Sequence, residues 1–155
     1  MSKIINIQDA KREDLIYVMR NGIIKFINMT SDPEDQESLQ RAFVTLTYAL
    51  KVASNSMFGN AENALREVLN ELLDENSVNN IISYGKGKIE DFEISILTRT
   101  AELDPRLNNA FIEFMLPLAY INGGIDHLVE DRLADILGNN IKNYKTLEFL
   151  DMREE

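Results

Sequence analysis

The sequence predicts an all-α fold, a single-domain helical bundle of about six to eight helices around a buried central helix at about 105–121. Three observations carry this. Apolar residues recur at helical spacing along most of the chain. One run (Ala110, Phe111, Ile112, Phe114, Met115, Leu116, Leu118, Ala119, Tyr120, Ile121) leaves almost no polar face, and a helix apolar all round is buried all round. No second convincing strand is present to pair with the one segment that alternates. A chain of 155 residues, 45% hydrophobic and 27% charged, suits one ordinary domain spanning 1–155.

The first ten residues hold one lysine and the apolar triplet Ile4, Ile5 and Ile7, which is not the continuous run of a signal peptide. The first helix is expected at about 11–28, with Leu15, Val18, Met19, Ile23, Phe26 and Ile27 on one face. Gly22 interrupts it at modest cost. The second helix is expected to start at Asp32-Pro33, where Asp caps and Pro fits the first turn, and to run toward Met57. Glu34, Asp35 and Glu37 favour the positive end of its dipole.

Leu39, Phe43, Leu46, Leu50, Ala53 and Met57 on that helix alternate in steps of four and three, a heptad seam. The plain reading is a seam inside the bundle. The sharper one joins two copies of the chain, and a homodimer is expected on that ground.

Gly59 is read as the end of this helix and Asn60 as the cap of the next, whose stripe is Ala61, Leu65, Val68 and Leu72, with Leu69 and Leu73 beside it. A short helical turn follows at 77–84, then the loop Gly85-Lys86-Gly87-Lys88. The segment 89–101 is ambiguous: Ile89, Phe92, Ile96 and Leu97 have helical spacing, whereas Phe92, Ile94 and Ile96 alternate. Helix is preferred for want of a partner strand.

Asp104-Pro105 opens the central helix; Pro117 removes one backbone donor and is expected to kink it; Gly123-Gly124 ends it. A last amphipathic helix at about 126–137 turns Leu128, Val129, Leu133, Ile136 and Leu137 inward, with Gly138 as its C-cap. The tail docks through Ile141, Tyr144, Leu147, Phe149 and Leu150, and 151–155 are expected to fray.

Net charge is −10, with 23 Asp/Glu against 11 Lys/Arg over 31–155. No basic cluster offers the footprint that displaces counterions from nucleic acid, so direct DNA or RNA binding is disfavoured. The absence of cysteine removes disulfides and thiolate chemistry. No apolar run approaches the roughly 20 residues of a membrane span, and a cytoplasmic location is expected.

Five residues stand out as metal candidates. His127, Asp131 and Asp135 share one helix face, and an imidazole with carboxylates is a ligand set for a divalent ion. Glu67 and Glu71, continued by Asp74 and Glu75, form a second acidic line. The same spacing also describes any solvated helix face.

Two acidic faces holding Mg²⁺ between helices would resemble the all-α nucleotide pyrophosphohydrolases, which implies a metal-dependent hydrolase. That family carries Glu-Glu-x-x-Glu and a later Glu-x-x-Asp. Here the adjacent Glu pair is missing upstream, and Glu130-Asp131 with Asp135 only approximates the second motif.

Gly85-Lys86-Gly87-Lys88 lacks the phosphate-loop pattern and reads as a polar connection. None of Ser54, Ser56, Ser83 or Ser95 sits in a Gly-x-Ser-x-Gly turn. A buried helix wrapped by amphipathic ones resembles the Bcl-2 layout, but a chain without Trp cannot carry that family's Asn-Trp-Gly-Arg motif.

The function expected is a non-enzymatic protein-binding module (adapter, inhibitor or assembly factor) with an acidic surface and no cofactor. The alternatives are the metal-dependent hydrolase and an acidic protein that occupies a nucleic-acid site on its target.

Overall fold

A computed structural model describes residues 2–54, 59–121 and 127–153. Among them are seven α-helices and one small two-stranded sheet, in the order β1 (Ser2–Asn6), α1 (Arg12–Thr30), α2 (Gln36–Ser54), α3 (Gly59–Leu69), α4 (Glu75–Gly85), α5 (Asp91–Leu103), α6 (Pro105–Tyr120), α7 (His127–Leu137), a 3₁₀ turn (Asn139–Asn143) and β2 (Thr146–Leu150). The expected all-α bundle is what the chain forms. The positions of Ser56, Met57, Gly123, Gly124, Asp126, Glu154 and Glu155 lie outside the described residues.

The central helix is α6. It touches α1, α2, α3, α5 and α7. Asp104 caps it by accepting the backbone N–H of Arg106 at 2.9 Å, with Pro105 in the first turn. From Phe114 to Ala119 every residue is buried, and the helix runs on through Pro117. Its main partner is α1. Phe26, Phe111 and Phe114 form a three-ring cluster between them, with centroids 5.1 to 5.8 Å apart.

Gly22 explains how close the two helices come. A Cβ there would lie 2.8 Å from both Glu113 Cβ and the Phe114 backbone nitrogen. The glycine that looked like a tolerated interruption is therefore the point where two helix backbones touch. Lys25 and Glu113 close the crossing with an ion pair at 3.0 Å.

The heptad seam of α2 faces inward: Leu46, Leu50 and Ala53 are buried in the same core as α6, with Phe43 packed against it. The seam is thus used within one chain. The helix starts later than expected, at Gln36. Asp32 instead turns the chain by accepting the Glu34 N–H at 3.0 Å, and Asp35 accepts the Glu37 N–H at 3.1 Å. Gly59 opens α3, with φ 58°, rather than closing α2. Because α3 ends at Leu69, Leu72 falls outside its stripe and is exposed. At 89–101 the helical reading holds, as α5. Gly138, φ 96°, follows α7 and donates its N–H to the Ala134 carbonyl at 2.8 Å.

The tail docks as expected through Ile141, Tyr144, Leu147 and Phe149, but at Leu147 and Phe149 it does so as a strand. β2 pairs antiparallel with β1, Ile5 opposite Leu147 and Lys3 opposite Phe149. Leu147 and Phe149 turn inward, whereas Leu150 is exposed. Instead of fraying, 151–153 are tied down. Arg153 pairs with Asp14 and Asp151 and lies over the Tyr17 ring at 4.3 Å, while the Met152 N–H donates to the Tyr17 hydroxyl at 3.0 Å. No helix among the described residues is long and apolar enough to cross a membrane.

Candidate protein-docking face

Three members of the two acidic lines singled out from sequence, Glu67, Glu71 and Asp131, are engaged in ion pairs with different parts of the fold. Glu67 on α3 pairs with Arg12 at 3.2 Å, and Glu71, in the turn after it, with Arg20 at 2.6 Å; both arginines come from α1. Asp74 is the N-cap of α4: it accepts the Ser77 N–H at 2.8 Å and the Ser77 hydroxyl, which holds its carboxyl below the usual range. On α7, Asp131 pairs with Lys142 at 2.9 Å, and that ammonium lowers its pKa. His127 and Asp135 are exposed on the same helix. Among the described residues no group of three His, Asp or Glu side chains is placed to hold a metal ion.

In the Gly85-Lys86-Gly87-Lys88 stretch, Gly85 ends α4 and Lys86 donates an ion pair to Glu62 at 2.9 Å. That contact, more than burial opposes it, lowers the Glu62 pKa. The loop is a structural latch between α3 and α4.

A different region stands out: the outer side of α2 where α4 and α5 flank it. Val44 and Tyr48, one helical turn apart, form a ridge. On the α4 side lies Tyr84, on the α5 side Phe92; Phe92 is 55% exposed and Val44 49%. Tyr48 stands at 89° to Phe92 with centroids 6.0 Å apart, and 5.9 Å from Tyr84. The ridge separates two shallow grooves. One, about 430 Å³, runs between Val44, Tyr48 and Ile96; the other, about 340 Å³, between Tyr48, Ile81 and Tyr84. A larger groove of about 550 Å³ between α6 and β2, bordered by Asn109, Ile112, Glu113, Lys145, Leu147 and Glu148, is more polar than either.

Beneath this aromatic shelf lies a buried ion pair. Lys51 Nζ is 3.2 Å from Glu93 Oε1, with the two side chains 4% and 0% exposed. The ammonium also sits 4.0 Å from the centre of the Tyr84 ring. Glu93 Oε1 accepts the Glu90 backbone N–H at 3.1 Å, the reach-back of a capping box at the start of α5. Glu93 Oε2 has no hydrogen-bond partner. Burial, and then the Glu93 carboxylate beside it, raises the Tyr84 pKa well above its ordinary value, so the phenol stays neutral. The pair cross-braces α2 to α5 and fixes the floor on which the aromatics rest.

Sequence reasoning missed this floor. It set Phe92 in a helical stripe with Ile89, Ile96 and Leu97, whereas α5 buries its neighbour Glu93 and shows the ring to solvent. One signal was available. Lys51 interrupts the apolar run Ala49, Leu50, Val52, Ala53, and a charge inside such a run needs a buried partner. The chain matches no known protein family, and neither a curated protein nor a solved structure is similar to it.

Proposed function

We propose that this protein is a non-enzymatic protein-binding module that docks a basic partner on the aromatic shelf of α2, α4 and α5. One observation carries the reading: Val44, Tyr84 and Phe92 stand exposed around Tyr48 on a floor braced by a buried ion pair. Aromatic side chains on rigid elements are the usual anchors of protein interfaces, because they cover large area and lose little conformational freedom. A contiguous apolar patch on an otherwise charged surface marks such a contact. The net charge of −10 favours encounter with a basic surface and disfavours another acidic one.

The test begins with affinity capture from the source cells and mass spectrometry to identify a partner. Its affinity is then measured for wild type, for Phe92→Ala and for Leu103→Ala, a control at the far end of α5 whose residue is 81% exposed. Loss of an anchor weakens binding at least about tenfold, and a peripheral change does so less than about twofold. Equal affinities for all three proteins would remove the shelf from the interface.

A further inference from the structure

We infer that the corner between Tyr48 and Phe92 receives an arginine side chain of the partner. This deepens the docking reading above and rests on it. The two rings stand edge to face at 89°, and Phe92, 55% exposed, leaves ring surface open to an entering planar group. A guanidinium suits that geometry: it is planar, weakly hydrated, and stacks on aromatic faces better than an ammonium does. The protein already uses its rings in this way, with Lys51 over Tyr84 at 4.0 Å and Arg153 over Tyr17 at 4.3 Å.

Charge around the corner points the same way. The cations of the shelf are largely committed: Lys51 to Glu93, Arg41 to Glu37 at 3.0 Å, and Lys86 to Glu62. Glu90 and Asp91 are exposed beside Phe92, and among the described residues no Lys or Arg pairs with either. Lys88, in the loop before them, is the cation that opposes them. An aliphatic side chain would gain the area but not this field. A lysine would gain the field at a larger desolvation cost.

The probe is a short peptide alternating glycine and arginine, with lysine and citrulline versions of the same length, titrated into the full chain at physiological salt to screen unspecific attraction. Aromatic proton shifts report the site, and circular dichroism checks that variants remain folded. The arginine peptide is expected to shift Tyr48, Tyr84 and Phe92 saturably. The lysine peptide should bind several-fold more weakly and the neutral citrulline peptide at least tenfold more weakly. Phe92→Leu keeps apolar area but removes one π face, and should weaken arginine-peptide binding at least fivefold.

Shifts confined to the acidic faces of α3 and α7, an undiminished citrulline peptide, or an unaffected Phe92→Leu would each overturn the inference. If the captured partner still needs Phe92 while arginine peptides ignore the shelf, the guanidinium fails and the docking face stands. If both ignore it, both fail.

Discussion

The α1–α6 crossing and the α2–α4–α5 shelf solve opposite problems with aromatic residues. At the crossing, Phe26, Phe111 and Phe114 are wholly buried, against two backbones in contact at Gly22. At the shelf, the aromatics lie partly in water and the buried groups are charged. The first arrangement draws its stability from packing and removed apolar area. The second holds a carboxylate and an ammonium out of water, at a desolvation cost that their attraction only partly offsets. A fold seeking stability alone has little reason to place Lys51 and Glu93 under exposed rings, and this contrast supports the proposal that the shelf is a docking face.

Phe114→Ala tests the crossing and should have the largest effect, about 3–5 kcal/mol, the range for emptying a buried aromatic position. Denaturant melts measure it; a loss below about 1 kcal/mol would mean that the ring is not part of the core. Lys51→Met comes next. It leaves Glu93 buried without its cation, which costs about 3–5 kcal/mol, whereas Lys51→Met with Glu93→Leu removes both charges and should recover most of that. Strict additivity of the two single changes in a double-mutant cycle would show that the pair is not coupled.

Gly22→Ala sets two known magnitudes against each other. In an exposed helix interior the change adds roughly 1 kcal/mol of stability. Here the new methyl meets the Glu113 and Phe114 backbone region at 2.8 to 2.9 Å, and overpacking costs about 1–3 kcal/mol. Since the neighbour is backbone rather than a flexible tip, net destabilisation is expected. A raised melting temperature would show that α1 and α6 separate easily.

These two regions were unequally legible in the sequence. The crossing was readable because burial of α6 follows from composition alone, and its cap from Asp104-Pro105. Even there, Gly22 read as a weak point, because helix–helix approach depends on a residue some ninety positions away. The shelf was not readable. Helical spacing at Ile89, Phe92 and Ile96 fixes a period but not its phase, and the capping box turned Glu93 inward in place of Phe92. The sheet was hidden for another reason: β1 and β2 lie at opposite ends of the chain, so no turn links them to announce a hairpin. The metal candidates Glu67, Glu71 and Asp131 found partners among Arg12, Arg20 and Lys142, which a single helix face cannot reveal.

The smallest stability effect should come from Phe92→Ala, and it sharpens the comparison most. Phe92 is 55% exposed, so its truncation forfeits part of a ring contact with Tyr48 and little buried area. Edge contacts between rings are worth about 0.5–1.5 kcal/mol, and water already covers much of this one, so a loss below about 1 kcal/mol is expected. A binding anchor behaves the other way: its truncation costs about 2 kcal/mol or more of affinity. The ratio of the two losses therefore separates a docking residue from a structural one. A stability loss near that of Phe114→Ala would place Phe92 in the core and dissolve the distinction between the two regions. A small stability loss with a large affinity loss is the signature of a side chain held in readiness for a partner.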